Sequence, residues 1–281
     1  MDKIIIDDGL ITPEVGAWAK EKYKHVFTYA DIFASSMKQK WDCRVYIDLF
    51  AGSGRARIRK TGEIVNSSAM QALKVSSPFD RYVFCDIDPE NISTLKARVG
   101  KEHPERNVVY HVGDVNNITK EIIDSIPQYS KDFKVLTFCF VDPFNLDGMR
   151  FSTLQALSAT RIMDFLVLVA TDMDANRNEV DYTTSDNESI SRFLCKSDWR
   201  ESWLYASQKG TQFGMFVLDE FTKQMMSIGY LKPRDGEDVL IRNIKRRAPL
   251  YRLSFYSKNK LGKQFWNETK KYSSLQMKMD F

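Results

Sequence analysis

The chain has 281 residues, 43% of them apolar and 28% charged, with a net charge of +4. That composition supports a sizeable core in one large domain, or one domain with an insertion, and excludes a disordered or collagen-like chain. No apolar run approaches the roughly 20 residues that cross a bilayer, so no membrane partner is expected.

In chain order, Pro13 to Lys40 reads as a helix within an N-terminal segment, 12–40. Trp18, Tyr23, Val26, Phe27, Tyr29, Ala30 and Phe33 form an apolar stripe near a period of 3.6. Pro13 suits a first helical position after the cap-competent Thr12. Val45 to Phe50 is an apolar, β-branched run that suits a strand covered on both faces. It leads into Ala51-Gly52-Ser53-Gly54. A basic excursion follows from Arg55 to Val65, with Lys60-Thr61-Gly62-Glu63 as its turn. A helix starts near Ser67 or Ser68, both good caps. Tyr82–Asp86, Val108–Val112, Val135–Val141 and Phe165–Ala170 are the next strands, and Pro89 opens a helix between the first two of them. This alternation predicts an α/β fold with a doubly wound parallel sheet in a single domain, 1–281. Residues 172–212 are polar and read as an insertion. A helix at Phe216–Ile228 precedes Val239–Ile244 and Leu250–Tyr256, which are close enough to pair antiparallel.

The basic charge is unevenly spread. Leu231 to Phe281 holds 13 Lys/Arg against 5 Asp/Glu. This basic C-terminal region, 231–281, includes the cluster Arg242, Lys245, Arg246 and Arg247, and it suggests a polyanion partner such as nucleic acid. Cys43, Cys85, Cys139 and Cys195 show no C-x-x-C spacing and read as free, buried thiols in a reducing cytoplasm. With three histidines in the chain, no metal site is expected. Met1 to Leu10 carries three aspartates and lacks the positive start of a secretory signal, which also favours a cytoplasmic protein.

Asp48 sits where a buried strand becomes loop, the place where open α/β sheets bind ligands. Gly52 and Gly54 allow the backbone to come close to one. The dinucleotide fingerprint fails, because Arg57 occupies its last small position, and no P-loop is present. The run Asp48-Leu49-Phe50-Ala51-Gly52-Ser53-Gly54 instead resembles the first motif of class I S-adenosylmethionine-dependent methyltransferases. That resemblance implies a Rossmann-like sheet with an antiparallel edge hairpin and S-adenosylmethionine as cofactor. Asp48, Phe50, Ala51, Gly52 and Gly54 would then lie around its methionine half. Asp86 would hold the ribose hydroxyls, with Asp88 as rival for that role or as a helix cap, and Ile87 would lie against the adenine. Asp114, followed by Val115, would accept the adenine amine.

Asp142-Pro143-Phe144 at the end of the fourth strand resembles the D/N-P-P-Y/F motif of methyltransferases acting on exocyclic base amines. It departs from that motif in having one proline and Asn145 after the aromatic. There a carboxylate and a backbone carbonyl accept from the amine while the aromatic stacks on the flipped base. The alternative is a strand-ending turn with Phe144 in the core. Arg55, Arg57, Arg59 and Lys60 either grip phosphates beside the cofactor or form a solvated hairpin.

Taken together, these motifs resemble the three-Cys-motif partner protein family over roughly Ala17 to Lys271. The early Trp- and Lys-containing helix, Tyr46 to Gly52, the Asp142-Pro143-Phe144 turn, Pro249 to Lys258 and Leu261 to Trp266 carry the likeness. Ser53 departs from it where proline is frequent, and Asn66-Ser67-Ser68 replaces a more glycine-rich segment. The resemblance implies a methyltransferase-like fold and a companion protein bearing a three-cysteine motif.

Overall fold

A computed structural model describes residues 4–233, 237–243 and 247–279 of the chain, with side chains as far as Tyr272. The elements are β1 (Glu14–Val15), α1 (Ala19–Met37), β2 (Cys43–Asp48), β3 (Arg55–Ile58), β4 (Ile64–Asn66), α2 (Ser68–Ala72), β5 (Arg81–Asp86), α3 (Pro89–Glu102), β6 (Val108–Val112), α4 (Thr119–Asp124), β7 (Val135–Val141), α5 (Phe151–Thr160) and β8 (Met163–Val169). They continue with α6 (Glu179–Thr183), α7 (Ser189–Leu194), α8 (Trp199–Gln208), α9 (Phe213–Ser227), β9 (Val239–Arg242), β10 (Pro249–Tyr256) and α10 (Lys260–Met279).

Seven strands form one sheet in the order β6-β5-β2-β7-β8-β10-β9. The first five are parallel, and β10 runs antiparallel to both β8 and β9. This is the doubly wound, Rossmann-like sheet with an antiparallel edge hairpin expected from the sequence. Every residue of β2, β7 and β8 is buried. Alternate side chains go to opposite layers, as the period of two requires. Val45, Ile47, Phe165 and Val167 face the layer of α5, α7 and α9. Tyr46, Phe138, Phe140 and Leu166 face the layer of α1, α2, α3 and α10. Burial on both faces explains why these strands read as continuous apolar runs.

The N-terminal helix begins later than the sequence suggested. Pro13 does not open it. Residues 13–15 instead add a short parallel strand to the β3–β4 hairpin, with Glu14 opposite Arg57 and Val15 opposite Ile58. The edge of β3 takes this segment, since Arg57 N–H donates to the Pro13 carbonyl at 2.9 Å and Arg59 N–H to the Val15 carbonyl at 2.9 Å.

Arg98 of α3 clasps the same N-terminal strap. It is 1% exposed, donates to both oxygens of Asp8 at 2.8 Å, and reaches the Ile11 carbonyl, the Thr12 hydroxyl and the Ser53 carbonyl of the glycine loop. These Arg98 hydrogen bonds hold the Asp8 carboxyl well below the usual carboxylate range.

The insertion is helical. It opens with a π-type turn at Thr171–Ala175 and carries α6, α7 and α8, with Trp199 and Trp203 buried against Phe213 while Tyr205 stays exposed. Of the four cysteines, Cys195 departs from expectation. It is exposed at the C-terminus of α7, where it adopts a left-handed conformation with φ of 49°. Ile244, Lys245 and Arg246 lie outside the described residues.

Candidate cofactor and acceptor site

A cavity of about 770 Å³ opens at the C-terminal ends of β2, β5, β6 and β7, where the strand order reverses. Its size suits a nucleoside-containing cofactor together with part of an acceptor.

One side of the cavity is built from the ends of β5 and β6. Asp86 ends β5, lines the cavity, and is held by three donors. Gly52 N–H reaches its Oδ2 at 2.9 Å, while Asp88 N–H at 2.9 Å and Asn91 Nδ2 at 3.1 Å reach its Oδ1. Asp88 instead caps α3, accepting from Glu90 N–H at 2.8 Å. Of the two carboxylates, Asp86 lines the cavity and Asp88 does not. Ile87 lines it too and is 70% exposed, an unusual position for a large apolar side chain. Gly113, Asp114 and Val115 follow β6 on the wall beyond. Asp114 accepts from Asn116 N–H at 2.9 Å and Nδ2 at 2.8 Å. Asn116 in turn accepts from Arg150 N–H and donates to the Gly148 carbonyl, stitching the β6 loop to the β7 loop.

The glycine loop serves this side through its backbone. Leu49 and Phe50 line the cavity; Asp48, Ala51, Gly52 and Gly54 do not. Gly52 takes a φ of +61° and turns its N–H to Asp86, and a Cβ there would meet nothing within 4 Å. Gly54, at φ +88°, serves packing: a Cβ there would sit 2.7 Å from Leu95 Cδ1 and 2.9 Å from Met70 Cγ. Ala51 is buried in the layer of α1 and α2. Asp48 is fully buried beneath the loop, with Oδ1 accepting from Phe50 N–H at 3.2 Å. Burial pushes its carboxyl up to about 7, helped by the nearby Asp142 charge and opposed by hydrogen bonds from Ser68 and Phe50.

The side at the end of β7 is assembled differently. Asp142 and Pro143 line the cavity from the end of β7, and Phe144 projects with 93% exposure. A core role for Phe144 is therefore excluded. Helix α1 supplies Trp18 and Lys22, and β10 supplies Tyr251. Trp18 and Tyr251 meet edge to face at 4.8 Å. The Lys22 ammonium pairs with Asp142 Oδ2 at 2.5 Å and lies over the Tyr23 and Trp18 rings, 4.8 and 5.4 Å from their centroids. Burial works against the charged form of Lys22, but the Asp142 carboxylate outweighs it and holds the ammonium above the usual lysine range. Sequence reading had placed Trp18 in an apolar stripe and had assigned Lys22 no role. Its apolar neighbours conceal a charge whose partner lies 120 residues away.

The basic segment after the glycine loop divides. Arg55 pairs with Asp8 and Glu102, and Arg57 with Asp7, so both turn to the N-terminal strap and α3 rather than outward. The acidic strap and Glu102 supply their ion-pair partners. Arg59 lines the cavity, is 67% exposed and lies 3.5 Å from Glu14. Lys60 lies in the exposed hairpin turn. Arg150 and Arg192 line the opposite rim. The pairing of Arg252 with Val169 puts the start of β10 beside the end of β8. Exposed Arg242 and Arg247, which flank the β9–β10 connection, therefore stand at the same edge as the cavity.

No family model matches the sequence, and no curated protein matches it. Among solved structures, Trm1 from Pyrococcus horikoshii with S-adenosyl-L-methionine aligns at 11% identity and a TM-score of 0.48, over 92% of this chain and 61% of that one. Magnesium protoporphyrin IX methyltransferase (ChlM) from Synechocystis PCC 6803 with bound SAH aligns at 10% identity and 0.42, over 86% and 88%. TYW2 from M. jannaschii in complex with AdoMet aligns at 12% identity and 0.41, over 86% and 76%. At these scores the likeness carries no part of the functional reading, which rests on the residues.

Proposed function

We propose that this protein transfers a methyl group from S-adenosylmethionine to a nucleic acid, with an exocyclic base amine as the first acceptor to test. One observation carries the reading: Asp86, Asp114 and the Asp142-Pro143-Phe144 turn converge on a single cavity, and Phe144 stands exposed beside it.

The cavity residues fit the cofactor. Asp86 is pre-oriented by Gly52, Asp88 and Asn91 to accept from two ribose hydroxyls. Asp114 and Asn116 offer polar groups to an adenine edge, and Ile87 offers an apolar face. The cofactor, when bound, supplies an electrophilic methyl. The protein's task is then positioning rather than base catalysis. Asp142 accepts a hydrogen bond from the target group, the Pro143 turn fixes its approach, and Phe144 stacks on a ring turned out of its helix or strand. Arg59, Arg150 and Arg192 line the cavity, and Arg242 and Arg247 stand at the same edge of the sheet; these cations suit phosphates, so affinity for nucleic acid should fall as salt rises. The resemblance to the three-Cys-motif partner family adds a companion protein with that motif as the expected protein partner.

The test is calorimetric titration of S-adenosylhomocysteine, followed by transfer of a labelled methyl group to RNA and DNA oligonucleotides at several salt concentrations. Micromolar binding with salt-sensitive labelling is expected. A protein that binds the cofactor product but labels neither nucleic acid would move the substrate to a small molecule or protein. Absence of binding would leave a scaffold.

A further inference from the structure

Asp142 is the acceptor-side carboxylate, and its two oxygens are not equivalent. Oδ2 is taken by Lys22, whereas Oδ1 has no hydrogen-bond partner among the described residues, and the side chain keeps 15% exposure. Lys22 is 6% exposed and comes from α1, outside the sheet that carries the rest of the site. Its ammonium is fixed on three sides, by Asp142 and by the faces of Trp18 and Tyr23. Asp48 lies near enough to help hold the charge. A buried ammonium so confined does not swing away when a ligand enters.

From this arrangement, and resting on the cofactor reading above, we propose that Lys22 is a specificity-determining residue that sets the charge of the acceptor: the site takes a neutral hydrogen-bond donor and refuses a cationic one. A lone carboxylate beside a methyl donor would attract an ammonium or guanidinium as readily as a base amine. With Lys22 paired to it, Asp142 presents one acceptor oxygen and little net charge, and a cationic target would meet a fixed like charge. A neutral amine or hydroxyl can donate to Oδ1 without that penalty. The protonated side chains of lysine and arginine are excluded by the same geometry.

The test needs no known substrate. Sinefungin carries an ammonium where the cofactor carries its methyl sulfonium, so the ratio of its affinity to that of S-adenosylhomocysteine reads the charge at this point. In Lys22→Met the ratio should shift toward sinefungin by about tenfold or more, the scale of one uncompensated charge a few ångströms away. In Lys22→Gln, a second neutral variant that keeps a polar head, the ratio should shift the same way, and this variant decides the matter if Lys22→Met does not fold. A structural role for the pair would change both affinities together. An unmoved ratio in a folded variant of either kind overturns the role of Lys22 alone. A wild-type protein that binds neither ligand overturns the cofactor reading and this inference with it.

Discussion

The two sides of the cavity are held by different means. At the ends of β5 and β6, Asp86 and Asp114 follow adjacent strands and are oriented by nearby main-chain and asparagine donors within a few residues or one strand spacing. At the end of β7, Asp142 depends on a lysine from a helix 120 residues earlier, and Tyr251 arrives from β10, beyond β8. The lesson is that one strand-end carboxylate can carry its local geometry with it, whereas another takes its charge environment from whatever the fold brings above it.

The comparison can be broken most sharply at Asp142. Asp142→Ala should lower methyl transfer by about 10² to 10⁴-fold while leaving S-adenosylhomocysteine affinity nearly unchanged, since positioning acts on the acceptor. Labelled transfer beside calorimetry checks this, and retained transfer would make the turn structural. Asp86→Ala should do the converse, weakening S-adenosylhomocysteine by about 1 to 3 kcal/mol through the loss of charged hydrogen bonds. Equal affinity in that variant would remove Asp86 from the ribose.

Phe144→Ala should leave the melting temperature unchanged, because the ring is 93% exposed, yet reduce affinity for a single-stranded oligonucleotide by about 1 to 3 kcal/mol if a base stacks there. Fluorescence anisotropy would detect the loss, and unaltered binding would mean the ring is idle. A pH-dependent effect concerns Asp48. Burial pushes its carboxyl up to about 7 in the folded protein, well above the usual carboxylate range, so its contribution to stability is present at low pH and is lost as pH rises through about 7. Asp48→Asn should therefore melt higher than wild type at pH 8, with the gap closing toward pH 4; a gap independent of pH would refute the buried-carboxyl account.

Much of this architecture was legible in the sequence, because local signals suffice for it. Doubly buried strands such as Val135–Val141 announce themselves as apolar runs, and Asp88-Pro89 is a recognisable helix start. The carboxylates at strand ends could likewise be read in order. Three things could not. Pro13 looked like a helix opener, but the free edge of β3 competed for its carbonyl. Arg55 and Arg57 read equally as phosphate ligands or as a solvated hairpin, and no local pattern shows their pairing with Asp8 and Asp7 about 50 residues away. Lys22 sat in an apolar stripe, and no local pattern distinguishes a lysine at the helix surface from one aimed at a carboxylate beyond residue 140.

The position of β10 has a consequence for how the chain is made. It inserts between β8 and β9, so β8 has an open, largely apolar edge until residues near 256 leave the ribosome. Helix α1 waits equally long, since His25 and Tyr29 pack against Trp266 of α10. Helix α1 is thus completed only by α10. Folding must close its longest loops before either end is protected, which favours slow acquisition of the native state and a need for shielding during synthesis.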